Sequence, residues 1–357
     1  MPANVKVNCE QSYSIRIRRG IIERLGVEIM RLIQDSYGEI LIVTDEKVSG
    51  LYLQKVIMNF QECPKPKDTR LRICELLIDS HEGAKNFHTV AKLLDDMAEL
   101  GLSEKCFVVA LGGGVVCETA GFAAGCYMGG VKLVLVPTTL AAMIETSSWS
   151  SAFLNLSSGK NLAGMSCNPS LVLCDTDCLK TLSLEEYQSG ISEALKIAAM
   201  SGEDLFRIFE RGEVQGNVER IIEGCIEYRA SLTPEVRRNC LGYALGNAIE
   251  SLSGYEIQHG IALAQGIAIT ARVSGKMNWC SQSTTERILN ALTKNNLPVS
   301  CRKFTAGEIT QALMNAGKNR KFAGNVFELS VLSEIGRCEV KNISADELED
   351  VIESGML

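Results

Sequence analysis

The chain has 357 residues, 46% of them hydrophobic and 22% charged, with a formal net charge of −7 from 36 basic and 43 acidic side chains. At roughly 150 residues per domain this is the size of two ordinary globular domains. The acidic balance excludes nucleic acid or an anionic membrane surface as the main partner, and no apolar run approaches the ~18 residues of a membrane span.

In chain order, the opening MPANVKVNCEQSYSIRIRRG has neither the apolar segment nor the cleavage pattern of a secretory signal. The fourteen cysteines are therefore expected as reduced thiols of a cytoplasmic protein, most of them acting as small buried hydrophobes. Cys174 and Cys178 come nearest to a CxxC pair without forming one, which argues against a structural zinc module.

The runs EILIVTD (39–45), CFVVAL (106–111), KLVLVP (132–137) and SLVLCD (170–175) alternate with helical patterns, and that rhythm predicts a parallel sheet with crossover helices. In KNFHTVAKLLDDMAELGL (85–102), Phe87, Val90, Leu94, Met97 and Leu100 share one helical face, with His88 off it. CFVVALGGGVVCE then runs a buried strand into three glycines and a helix start. Gly113 and Gly114 would let backbone N–H groups meet a pyrophosphate, and the plain alternative is a tight turn with no ligand. The Ser/Thr-rich, non-periodic stretch PTTLAAMIETSSWSSAFLNLSSGKNLAG is expected to be a long functional loop.

From residue 183 the pattern turns helical, opening on a capping box of Ser183 and Glu186 and continuing to about residue 318. Glu193 and Lys196 lie three apart on one face of an apolar helix, either as a surface ion pair or as a half-buried pair facing a cleft. His259 is one of three histidines in the chain. The expected fold is an α/β N-terminal domain with a parallel sheet and a dinucleotide-binding turn, residues 1–180, followed by an all-α C-terminal domain, residues 181–357.

The order GGGVV, E..GF.A, VPTTL, SSGKNLAG, D.D.L.TL, G..EALK, GNAIE, HG and a late NRK resembles the dehydroquinate synthase family, the NAD-dependent sugar phosphate cyclases. The resemblance is collinear from about residue 35 to residue 340. It implies a two-domain lyase, a homodimer, with NAD in the N-terminal domain and a small sugar-derived substrate and a divalent metal, zinc above all, in the cleft. On the family's pattern the cofactor residues are Asp45, Glu82, Lys85, Gly113, Gly114, Glu118 (an aspartate in relatives), Thr138, Thr139, Leu140, Thr181 and Leu182. Lys160, Asn161, Lys196, Glu145 and Asn247 fall at catalytic positions. Arg229, Arg237, Arg320 and Lys321 fall where substrate would be held.

The metal residues implied are Glu193 and His259, with Tyr243 where the family has a histidine. Asn247 replaces a second histidine one turn on, Ile261 stands for a glutamate, and Ser151 and Gly129 replace a lysine and an arginine that meet phosphate. A tyrosine ligates only as phenolate, from a reference pKa of ~10, so the alternatives are a Glu-His-Tyr site or a weak or absent metal, with Cys240 as a soft ligand or a core residue. In the family's reaction NAD oxidises an alcohol, phosphate is eliminated, NADH returns the hydride and an aldol closes the ring. Three readings follow: a cyclase acting on an altered sugar acid or sugar phosphate, an NAD-dependent dehydrogenase or epimerase on the same fold, or a non-catalytic NAD-binding paralogue.

Overall fold

In the computed structural model, which describes residues 3–7, 12–33, 37–65, 70–148, 150–233, 240–317, 322–323 and 326–356, the chain divides into two units, Met1–Leu182 and Ser183–Leu357. Thr181 and Leu182 are the last residues of the first unit. No described helix is long and apolar enough to cross a membrane.

The strands of the first unit are β1 (Ala3–Val7), β2 (Tyr13–Ile17), β3 (Tyr37–Thr44), β4 (Arg70–Leu77), β5 (Phe107–Gly112), β6 (Lys132–Pro137), β7 (Ser151–Leu156), β8 (Gly159–Ser166) and β9 (Leu171–Cys174). Among the described residues seven of them form one sheet in the order β1-β2-β9-β6-β5-β3-β4. All its pairings are parallel except β1 with β2. Strands covered on both faces need apolar side chains at every position, which is why Ile40 to Val43 and Val108 to Leu111 read as continuous runs with no exposed residue. From β3 the chain moves outward to β4 and then returns past β3 to β5 on its other side, so the strand order reverses between β3 and β5. A crevice opens at such a reversal, beyond the carboxyl ends of the strands. β3 ends at Thr44 and β5 at Gly112, which puts Asp45 and the Gly113–Gly114 turn at its rim.

Two local expectations change. Helix Phe87–Glu99 buries Val90, Leu93 and Met97, while Phe87 is half exposed and meets Phe122 edge-on at 5.6 Å. The Ser/Thr-rich stretch is not an irregular loop. Thr139 caps a short helix, Leu140–Ile144, and β7 pairs with β8 as an antiparallel hairpin. In SAFLNL the residues Ala152 and Leu154 point inward between half-exposed neighbours, the alternation that a one-sided ribbon requires.

The second unit is helical. Helix Leu184–Ser201 starts with both halves of the Ser183–Glu186 capping box. Helices Glu203–Arg211, Val218–Ser231, Tyr243–Leu252, His259–Lys276, Gln282–Lys294, Ala306–Gly317 and Leu348–Gly355 follow. It is not all-α: β10 (Phe322–Ala323), β11 (Val326–Glu334) and β12 (Arg337–Ser344) add an antiparallel sheet. Phe327, Leu329 and Val331 alternate along β11 and pack into a core with Ile249, Ile269 and Ile352. Some helix contacts in this unit are backbone to backbone. A Cβ on Gly266 would lie 2.4 Å from the carbonyl oxygen of Gly242, and one on Gly260 would lie 2.3 Å from Cα of Ser189. Only glycine permits these approaches, and they set helices Tyr243–Leu252 and Leu184–Ser201 directly against helix His259–Lys276.

Candidate active site

The first unit holds the glycine turn. Helix Gly114–Cys126 follows β5 at once, with Gly113 as its N-cap in extended backbone. The three glycines differ in what surrounds them. A Cβ on Gly112 would lie 2.7 Å from Cβ of Val116, so packing alone demands glycine there. A Cβ on Gly113 would meet Thr139 Cγ2 at 3.3 Å, and one on Gly114 would be in ordinary contact with Thr146 at 3.5 Å. Packing therefore does not require glycine at 114, whereas a ligand brought up to the helix N-terminus would. The donor end of a 13-residue helix beside a bare backbone fits a pyrophosphate.

Around this turn, Asp45 is buried and accepts a hydrogen bond from the Val48 backbone at 3.0 Å, capping the next helix. Thr138 is buried and its N–H donates to the Gly112 carbonyl at 2.9 Å. Thr139 caps Leu140–Ile144 through Ala142 at 3.2 Å, and Glu145 ends that helix. The Thr181 hydroxyl meets that of Tyr52 at 2.7 Å, a contact the sequence reading did not foresee.

A second group is centred on Lys85, which is 3% exposed. Its ammonium donates to Glu118 and to Asn161 Oδ1, and Glu82 lies 3.5 Å away. Burial opposes the charge, but the Glu118 and Glu82 carboxylates outweigh it and hold the Lys85 pKa above its usual value. Lys160 lies 3.6 Å from Glu82, and Asn161 adopts φ 55°. Asn155, also unforeseen, ties the group together. Its side chain donates to Glu82 Oε1 at 2.8 Å and accepts from the Asn161 backbone at 2.9 Å. The structure thus gathers five expected residues, Glu82, Lys85, Glu118, Lys160 and Asn161, with Lys85 donating to two of them and paired in charge with Glu82.

In the second unit, Glu193 and Lys196 are each 1% exposed and bonded to each other, which settles the choice between a surface and a buried pair. The glycine contacts bring His259 beside them, with Nε2 3.1 Å from Glu193 Oε1. On its other side, Nδ1 lies 2.7 Å from Oε2 of Glu250, itself 3% exposed. Glu250 was legible in principle, since Tyr243, Asn247 and Glu250 fall on successive turns of one helical face. The Tyr243 ring packs edge-on to His259 at 5.9 Å and 73°, and Lys196 Nζ is 5.6 Å from the Tyr243 ring centre.

This arrangement fits a divalent cation at two donors. In the tautomer whose Nδ1–H donates to Glu250, the Nε2 lone pair faces Glu193, which is how a carboxylate backs a metal-bound histidine. With Nε2 unprotonated, its separation of 3.1 Å from Glu193 Oε1 suits two metal bonds of ~2.0–2.2 Å; with Nε2 protonated, the same contact is an ion pair. Glu193 Oε1 is buried and accepts no hydrogen bond among the described residues.

Arg229, expected near substrate, is fully buried. It lies one turn after Cys225, whose thiol is raised by burial and opposed by the charges of Arg229 and Lys196. Cys240 is buried, and its carbonyl accepts from the Tyr243 N–H at 3.2 Å. The described cysteines are all free. Burial pushes Cys106 and Cys178 up to about 12, as expected of inert core thiols. Arg237, Arg320 and Lys321 lie outside the described residues.

Residues 75–189 match the model of the 3-dehydroquinate synthase N-terminal domain and residues 190–319 that of the 3-dehydroquinate synthase C-terminal domain. The chain is 30% identical to a 3-dehydroquinate synthase of Pelobacter propionicus, covering 95% of both chains, and 28% identical to one of Clostridium acetobutylicum, again covering 95% of both. Its fold is similar to a 2-deoxy-scyllo-inosose synthase complexed with carbaglucose-6-phosphate, NAD+ and Co2+ (TM-score 0.86, 22% identity, 99% and 100% of the two chains). It is also similar to 2-epi-5-epi-valiolone synthase from Streptomyces hygroscopicus with NAD+ and Zn2+ bound (TM-score 0.79, 22% identity, 98% of both). A probable glycerol dehydrogenase from Sinorhizobium meliloti shares the fold at TM-score 0.66, with 14% identity over 96% of both chains.

Proposed function

Because the chain belongs to the 3-dehydroquinate synthase family, we propose that it is an NAD-dependent sugar phosphate cyclase, a carbon–oxygen lyase whose substrate differs from that of the 3-dehydroquinate synthases. The observation that carries this is the buried Glu193–Lys196–His259–Glu250 group, which combines a two-donor metal position with a cation beside it. Gly113 and Gly114 receive the NAD pyrophosphate at the helix N-terminus, and Asp45, at the end of the neighbouring strand, serves the ribose hydroxyls.

When bound, the metal polarises the alcohol that is oxidised and the carbonyl it becomes. Glu193 and His259 would hold it, and Glu250 would keep the imidazole in the tautomer that turns the Nε2 lone pair toward Glu193. Lys196 brings a positive charge beside Glu193, where negative charge on a substrate oxygen is favoured. Asn247 can orient a substrate group by hydrogen bonding but has no proton to exchange at neutral pH. That substitution, with Ser151 and Gly129 at phosphate-meeting positions, supports an altered substrate. We read the protein as a homodimer of the cytoplasm, where its free thiols would stay reduced.

The test is purified protein with NAD and Co2+ or Zn2+ on a panel of six- and seven-carbon sugar phosphates, following phosphate release and NADH absorbance together. Phosphate release without net NADH is expected. Net NADH without phosphate would replace the cyclase with a dehydrogenase, and neither signal from a protein that binds NAD would leave a non-catalytic paralogue.

A further inference from the structure

We infer that the metal takes Asn247, through its amide oxygen, and not Tyr243, as its third protein donor; this rests on the metal-dependent reading above. Among the described residues no group of three or more His, Cys, Asp or Glu side chains is placed to hold a metal ion, so a third donor from those residues beside Glu193 and His259 would be of another type. Helix Tyr243–Leu252 offers two.

Tyr243 is engaged through its ring, which packs edge-on against His259 and carries Lys196 Nζ over its face. Asn247 follows one turn later and precedes Glu250 by three residues. Tyr243 and Glu250 both touch His259, so the face between them, where Asn247 stands, is turned toward the same imidazole.

The Asn247 amide oxygen is shielded from solvent and accepts no hydrogen bond among the described residues, and Glu193 Oε1 is in the same condition. A buried acceptor left unpaired is costly, and buried polar atoms in native proteins are nearly always satisfied. One cation shared by Glu193 Oε1, His259 Nε2 and Asn247 Oδ1 satisfies both orphaned oxygens with no deprotonation of either side chain at neutral pH. The resulting set has two oxygens and one imidazole, harder than a set with two imidazoles, and favours ions that accept carbonyl ligands.

Full-length protein freed of metal by chelation is titrated with Co2+ and followed by visible absorbance, with circular dichroism on every variant. Asn247→Ala should weaken Co2+ binding by about 10- to 100-fold, the loss typical when a supporting group is removed from a metal site, and Tyr243→Phe should change it by less than about twofold. Asn247→Asp, which puts a charged oxygen at the same place, should tighten binding and change the visible band even if the alanine variant folds poorly. Loss of binding in Tyr243→Phe, or unchanged affinity and spectrum in both Asn247 variants, overturns the assignment while leaving metal binding in place. If the unsubstituted protein binds no Co2+, the metal reading itself falls.

Discussion

Alanine at the three consecutive glycines separates what packing needs from what the cofactor needs. At Gly114 the new Cβ would sit 3.5 Å from Thr146, and the backbone is not in a glycine-only region, so the fold should accept it. Removing glycine from a compatible site stabilises by about 0.4–1 kcal/mol through the unfolded chain. The same methyl occupies the space a pyrophosphate needs. Losing one charged hydrogen bond at about 1.5–3 kcal/mol corresponds to a Kd increase of about 10- to 150-fold. At Gly112 the Cβ would lie 2.7 Å from Val116, an overpacked position costing about 1–3 kcal/mol. Urea unfolding and NAD titration by calorimetry on Gly112→Ala and Gly114→Ala read both quantities. If Gly114→Ala binds NAD as tightly as the parent, the turn does not hold the pyrophosphate and the cofactor assignment is wrong.

Three further outcomes follow from other contacts. Glu250→Gln should lower metal affinity about 10- to 100-fold with little change in the fold, measured by Co2+ titration, because His259 loses the carboxylate that fixes its tautomer. Lys85→Met should cost about 3–5 kcal/mol in urea unfolding, since it leaves the Glu118 carboxylate inside without its ammonium, and adding Glu118→Gln should recover part of that loss. Arg287 grips Glu203 and Glu210 at 2.7–2.8 Å, and Arg287→Ala should cost about 1–2 kcal/mol, discounted for partial exposure. Hydrogen bonding to Arg287 holds the Glu203 carboxyl below its usual value, so this contribution is present above the unfolded pKa of ~4.3 and fades as pH falls through the lower folded value. A stability difference between parent and Arg287→Ala that persists unchanged in strong acid would contradict it.

The sheet and its glycine turn were legible because doubly covered strands write themselves as unbroken apolar runs, and β5 leads straight into the turn. The hairpin at 151–166 was not, because a two-stranded ribbon wet on one side needs only Ala152 and Leu154 inside and fills the rest with Ser, Asn and Gly. The sheet at 322–344 was hidden for the same reason, its alternation being confined to Phe327, Leu329 and Val331. Spacing alone left open whether Glu193 and Lys196 are buried, since burial depends on Gly260 admitting a neighbouring helix. The burial of Arg229, one of the largest fully buried side chains, was not legible, because the resemblance that put it at a substrate position says nothing of its packing. Glu250 carried its signal in the stripe it forms with Tyr243 and Asn247, but its partner lies nine residues on, across a turn.

The contacts at Gly260 and Gly266 set helices of the helical unit against one another main chain to main chain. Positions 243 and 247 take no part in those backbone contacts. Chemistry at this centre can therefore drift by exchange of two side chains while the scaffold stays as it is. The reverse journey should be equally short, and a chain carrying Tyr243→His and Asn247→His would be the smallest step toward a nitrogen-rich zinc site on an unaltered frame.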